Sequence, residues 1–494
     1  MQTLTSITPL LAVLVSGGVI ALILLFRGNP NRREASSVIA AIITFMIVMS
    51  MAPEILSGGI IEYTVFKILP GINFSFRVDG IGMLFASATS FLWIAAAFYC
   101  IGYMRTLEED HQTRFYICFA LSVSAAIGVA FSANLFTLFF FYEVLSLGTF
   151  PLVIHKETPE SWDAGRKYLL YLAGAAKTIL LAGIVLTYYL TGTLEFNSAG
   201  MFSEVALSEE GVKTLLMVVY FCFLFGFAKA GIMPMHNWLP AAMVAPTPVS
   251  ALLHAVAVVN VGTFSVVRLV LDVFGVDLMR HLDLGIYTAV FASITILGAS
   301  AYALAQDNLK MRLAYSTVSQ LSYIVLGVAL LSVSGITGGI IHIANHAFSK
   351  ITLFFCAGAI YAVSHKTNIS QLSGIARKMP WTIGAFAIGS LSLVGVPLFA
   401  GFISKWYLAV GTIETQNWTL LGVLLTSSVL NMAYFAPIVY KAVFGQPPED
   451  HDGHENFGEA PLFILVPLLV SAVGTVLLGI FPDYFLRLIE LRFL

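Results

Sequence analysis

Apolar stretches of about 20 residues, close to the length a helix needs to cross a bilayer, follow one another along the chain with short polar connectors between them. Roughly fourteen can be marked, at 5–26, 36–56, 81–101, 114–132, 134–154, 167–190, 212–232, 247–272, 285–305, 314–333, 337–364, 381–411, 419–441 and 460–482. They predict an all-α polytopic membrane protein with about 14 transmembrane helices. Two stretches run into proline and glycine, at Pro234 to Pro248 and at Gly395 to Gly401, so two broken helices are expected. The polar and apolar alternation of Asn73 to Val78 predicts a short hairpin between Gly58 and Gly80.

Composition agrees: 58% of the 494 residues are apolar and 11% charged, with a mean hydropathy of +0.89. Arg27, Arg32 and Arg33 follow the first stretch and nothing basic precedes it, the pattern of a retained helix rather than a cleaved signal. With alternating connectors, one side collects fourteen basic residues, among them Arg105, Arg114, Lys156, Lys310 and Lys366, and the other seven, among them Arg77, Arg268 and Arg492. The richer side is expected to be cytoplasmic, with both termini outside the cell membrane. So little polar surface implies lipid or partner membrane subunits around the chain, and no nucleic acid is expected.

Four lysines, Lys177, Lys229, Lys350 and Lys405, fall within apolar stretches, where a charge is expensive unless it has a task. Lysine, unlike arginine, sheds its proton readily when desolvated, so it suits a proton relay. Lys229 is expected within a helix from Val218 to Ala230, just ahead of the proline-broken run. Glu143, amid aromatic and aliphatic side chains, is an acid that could modulate Lys229 by ion pairing; a static pair fixing helix packing is the alternative. His342, His346 and Lys350 stand at successive i, i+4 positions and form one titratable stripe. Histidines four apart are also zinc-ligand spacing, but no glutamate follows the first and no carboxylate or cysteine nearby completes a shell. Packing histidines are the plainer alternative. His254 reads as a further relay station and Lys405 as the lysine of the second break, while Lys177 either feeds the path or snorkels.

Cys100, Cys118, Cys222 and Cys356 are scattered singly and read as small packing residues, so no redox centre is expected in this chain. No glycine-rich phosphate loop is present, so ATP is not the expected energy source, and no cofactor is expected. The acidic run from Gln446 to Glu459, with His451 and His454, reads as a solvated loop.

These motifs together resemble the antiporter-like subunit family shared by Mrp-type cation/proton antiporters, the pumping arm of respiratory complex I and membrane-bound hydrogenases. The resemblance rests on His236 to His254, Ala305 to Gln320, His342 to Lys350 and Gly401 to Lys405, and runs over nearly the whole chain. It implies a single transmembrane domain, 1–494, with two inverted five-helix repeats, approximately 114–272 and 285–441. By motif position, Glu143 and Lys229 match the gating pair, His254, His342, His346 and Lys350 the connecting relay, and Lys405 the terminal lysine. Chain length, the short Asp483 to Leu494 tail and Met379-Pro380-Trp381 look most like the D-type subunit of an Mrp antiporter or its hydrogenase counterpart. A sodium- or potassium-for-proton antiporter subunit is thus expected, with a proton pump inside a redox complex as the alternative and an inert scaffold as a third reading. The same lysine and histidine path serves protons in every case, so these residues do not encode the coupling cation.

Overall fold

The computed structural model describes residues 3–203, 210–446 and 457–493. In chain order the main helices are α1 (Thr8–Leu25), α2 (Pro30–Leu56), α3 (Gly80–Thr106), α4 (Gln112–Ala130), α5 (Leu135–Val153), α6 (Pro159–Thr191), α7 (Glu210–Gly226), α8 (Thr247–Ala255), α9 (Val258–Arg268), α10 (Leu284–Ala305), α11 (Leu309–Ala329), α12 (Val333–Ser364), α13 (Pro380–Val394), α14 (Ala400–Glu414), α15 (Trp418–Phe444), α16 (Leu462–Ile480) and α17 (Asp483–Glu490). Many starts are written in the sequence as side-chain caps. Asp79 accepts from Gly82 N–H at 2.8 Å, Asn134 from Thr137 at 2.8 Å, Asn308 from Met311 at 3.1 Å and Ser332 from Gly335 at 3.1 Å.

The protein is a multi-pass helical membrane protein. Ten helices among the described residues, α1 to α6, α10, α12, α15 and α16, are long and apolar enough to cross a bilayer. They coincide with ten of the expected stretches. The other four are short, interrupted or polar: α7 ends at Gly226, 247–272 is split between α8 and α9, α11 carries Ser316, Thr317, Ser319, Gln320 and Ser322, and 381–411 is divided into α13 and α14. At the centre lies α12, 32 residues long and buried along most of its length, packed against α3, α8, α11, α13, α14 and α16.

The expected hairpin is present as β2 (Ile60–Leu69) antiparallel to β3 (Ile72–Val78), with β1 (Thr3–Thr5) added in parallel on the outer edge of β2. Asn134 at the start of α5 donates to Asn73 O at 2.8 Å, and Arg77 N–H donates to Phe131 O at 2.7 Å, so the sheet is pinned to one end of the helices. The expected loop at 446–459 lies largely outside the described residues.

Beside this sheet sits a buried ion cluster. Arg268, 3% exposed, is 2.5 Å from Asp79 and 2.9 Å from Asp272, and Arg492 is 2.9 Å from Asp272. Burial alone would raise the Asp79 carboxyl, but Arg268 and the Gly82 N–H hold it at about 2. Its contribution to stability is therefore complete above the unfolded value near 3.8 and is lost as the pH falls toward 2. Arg268→Met leaves Asp79 without its main cation and Asp272 with Arg492 alone. It should destabilise the protein by roughly 3–5 kcal/mol, read as a lowered thermal midpoint in detergent; an unchanged midpoint would show that the cluster is dispensable.

Candidate functional site

A helix broken inside a membrane exposes N–H and C=O groups that must find protein or water partners. Both breaks here are closed by side chains, one in each case from a neighbouring helix and one from the broken stretch itself. At the first, Trp238 Nε1 donates to Ala228 O at 3.0 Å, and Thr295 Oγ1 accepts from Met233 N–H at 3.0 Å. At the second, Asn345 Nδ2 donates to Ala400 O at 2.7 Å and Ser392 Oγ accepts from Gly401 N–H at 3.0 Å.

Lys229 occupies the first break itself. Contrary to expectation, its helix ends at Gly226, and Lys229 lies in a separate 3₁₀ turn, Ala228–Ala230, closed by Gly231 in the left-handed region at φ 68°. It is fully buried. Its Nζ donates to Tyr142 O at 2.9 Å and Ser146 Oγ at 2.6 Å, and lies 3.2 Å from the centre of the Tyr142 ring. The Lys229 N–H donates to the Tyr142 hydroxyl at 3.2 Å.

Glu143 lies next in sequence to Tyr142, but its ion-pair partner is Lys177, at 3.7 Å, rather than Lys229. Lys177 stands in a π-helical segment of α6, Ala176–Leu180, and is 58% exposed on the outer face, while Glu143 is 12% exposed. The expected pair is therefore a row, Lys177, Glu143, Ser146 and Lys229, in which the serine, three residues beyond the glutamate on α5, holds the buried amine.

The stripe on α12 is completely buried: His342, His346 and Lys350 are each 0% exposed. The two imidazole rings lie 6.0 Å apart, and His342 Nδ1 is 2.7 Å from Ser404 Oγ. His342 Nε2 and both nitrogens of His346 are buried with no hydrogen-bond partner among the described residues, groups that a water or a mobile proton would have to satisfy. Lys350 Nζ donates to Leu313 O at 3.0 Å and to Ser316 Oγ. Lys405, in the second turn of α14, donates to Val394 O at 2.9 Å and Ser428 Oγ at 3.1 Å, with the Tyr323 ring 5.2 Å away. Tyr323 also stands edge-on to His342 at 5.5 Å. Lys350, His346, His342, Ser404, Tyr323 and the half-buried Lys405 thus form one succession of polar groups between α11, α12 and α14. His254 lies on α8, and its side chain is outside the described residues.

Among the described residues, Lys229, Lys350 and Lys405 have no carboxylate within the 4.0 Å of an ion pair. Each rests on a carbonyl, a hydroxyl and a ring face. Such a site tolerates both the charged and the neutral amine, because a hydroxyl can reverse its bond as the proton leaves. Tyr142, Ser146, Ser316, Tyr323, Ser404 and Ser428 were not among the residues singled out from sequence. Ser404, next to Lys405, and Ser146, at helical spacing from Glu143, carried a signal; the others are ordinary members of polar-dotted helices.

The profile of the family described as "NADH:quinone oxidoreductase/Mrp antiporter, TM" matches residues 132–431, more than half of the chain. Over 449 residues the chain is 30% identical to a probable K(+)/H(+) antiporter component of Rhizobium meliloti (strain 1021), spanning 90% of this chain but 44% of that protein. It is 33% identical over 407 residues to NADH-quinone oxidoreductase subunit N of Desulforudis audaxviator (strain MP104C), covering 80% of this chain and 79% of the relative. A chain in the structure of the Mrp complex from Dietzia sp. DQ12-45-1b matches with a TM-score of 0.83 over 98% of this chain and 96% of that one, at 24% identity, a likeness of fold.

Proposed function

Because the chain belongs to the NADH:quinone oxidoreductase/Mrp antiporter transmembrane family, we propose that it is an ion-translocating subunit of a multisubunit Mrp-type antiporter exchanging Na+ or K+ for protons. The observation that carries this reading is the succession from the buried Lys350 through His346, His342 and Tyr323 to the half-buried Lys405, cationic and imidazole groups with no carboxylate among the described residues to lock them. Protons are relayed along it, with Lys229 and His254 serving the first half and water filling the gaps. Glu143 acts on Lys229 at one remove. If it leaves Lys177 and turns toward the amine it favours the ammonium, and as it returns to Lys177 that support is withdrawn.

We assign the two halves to 114–272 and 285–441, a division supported by the place of the breaks, which interrupt the fourth apolar stretch of each half, after α7 and after α13. The interrupted and polar stretches complete about 14 crossings. The basic side faces the cytoplasm of a cell membrane and both termini lie outside, as the excess of lysine and arginine requires.

A second reading, a proton pump within a redox complex, is favoured by the match to the quinone oxidoreductase relative, which spans 79% of that protein, where the antiporter match spans 44%. Mass spectrometry of the intact complex extracted from native membranes separates them. Small membrane subunits with another antiporter-like chain are the expected companions of an antiporter; iron–sulfur, nickel or flavin subunits would establish the pump instead.

A further inference from the structure

On the basic side, away from the relay, a cavity of about 190 Å³ is lined by Lys156, Lys310 and Lys366. Two helices begin on it, α8 at Thr247 and α11 at Leu309, with Pro246 and Asn308 in the wall. The N–H groups at these starts are taken, Thr247 by the Tyr103 hydroxyl, Leu309 by Thr367 O and Met311 by Asn308 Oδ1, so what each start adds is the partial positive end of its helix dipole. Five sources of positive potential therefore meet at one small space. Lys156 and Lys310 are close enough to repel each other, and the carboxylate acting on both is Glu109. Glu109 lies in the connector between α3 and α4, where burial pushes its carboxyl up and weakens it as a counter-ion.

Lysines that merely mark the cytoplasmic side would snorkel outward to water. Lys310 does the reverse: its Nζ turns inward to donate to Ala245 O at 2.6 Å, two residues ahead of α8, and so stays at the cavity wall. Lys366 is anchored over the Phe457 ring at 5.4 Å and Lys156 over Tyr361 at 5.9 Å. Basic pockets between membrane helices on this side suit phosphate-bearing headgroups, and helix starts suit the same oxyanion.

We propose that this cavity binds a phosphate group, borne either by an anionic phospholipid of the basic-side leaflet or by free phosphate. Three ammonium groups and the positive ends of two helix dipoles favour an oxyanion over a cation or a carboxamide.

The test uses the intact complex in nanodiscs of phosphatidylcholine, of phosphatidylcholine with phosphatidylglycerol, or of phosphatidylcholine with millimolar inorganic phosphate. Acylation of Lys156 and Lys366 is read by peptide mass spectrometry. Protection by phosphatidylglycerol alone identifies a lipid headgroup, and protection by inorganic phosphate identifies the free ion; either supports the site. Lys310→Gln should weaken the protecting agent by about tenfold, the loss of one charge-assisted bond. If that variant does not fold, Lys156→Gln, at an exposed position, should weaken it similarly, read at Lys366. Equal labelling of both lysines in all three membranes, or protection unchanged in the folded variants, overturns the proposal.

Discussion

Lys229→Ala is expected to reduce ion translocation by at least about 100-fold, the low end of what a positioned proton-transfer group supplies, while the complex still assembles. The two halves of this expectation have different causes. Transport fails because Lys229 is the fully buried amine held at the first break, and neither of the groups it touches, the Tyr142 carbonyl and the Ser146 hydroxyl, can carry its charge. Assembly survives because Glu143, on which Lys229 also acts through space, keeps its ion pair with Lys177, and the Lys229 backbone bond to the Tyr142 hydroxyl does not depend on the side chain. That is the reverse of Arg268, whose removal leaves acids behind. Lys229→Met, which keeps much of the volume, should be equally inactive, so a cavity alone cannot explain the loss. The measurement is the cation-dependent pH change across vesicles holding the variant complex, or the redox-linked one for a pump. Transport near the wild-type rate in either variant would overturn the relay.

The fold was legible where physics leaves one solution. In hydrocarbon a backbone satisfies itself as a helix, so ten uniformly apolar stretches could be placed by length alone. The breaks were legible from Pro234, Pro240 and Gly395, but not their extent: Phe227 to Ala230 reads as apolar helix, and only tertiary packing sets the end of α7 at Gly226. The pairing of Glu143 was illegible for a related reason. Beside Glu143 its helix carries only scattered small polar groups, Thr137, Ser146 and Thr149, and the Tyr142 hydroxyl, too little to say how α5 is turned, and rotation decides whether Glu143 meets Lys177 or Lys229. By contrast the α12 stripe was readable, because the i, i+4 spacing of His342, His346 and Lys350 puts them on one face however the helix turns. What sequence could not give was the other wall of that path, Ser316 and Tyr323, which α11 brings from elsewhere.

Gly262→Ala should cost nearly as much transport as removing Lys229, without touching a titratable group. Helix α9 crosses the turn that carries Lys229 so closely that a Cβ on Gly262 would lie 2.1 Å from the Ala230 nitrogen and 2.2 Å from the Lys229 carbonyl carbon. Both are backbone atoms, which cannot swing aside as a side chain can, so the turn itself must move. Relieving such an overlap takes a shift on the order of 1 Å, enough to cost about 100-fold where a reacting group has to be placed. The same shift pulls Lys229 Nζ off Ser146 at 2.6 Å and Tyr142 O at 2.9 Å. Overpacking of this kind destabilises by roughly 1–3 kcal/mol, and this site belongs at the upper end because no side chain absorbs the strain. Gly384→Ala and Gly422→Ala are the matched controls, since a Cβ at either position meets nothing within 4 Å. Transport rate and thermal midpoint, measured together, separate the effects: the controls should retain both, and Gly262→Ala should lose far more rate than its lowered midpoint accounts for. A Gly262→Ala complex working at the wild-type rate would mean that the position of the Lys229 turn does not govern translocation, and the relay through that break would have to be abandoned.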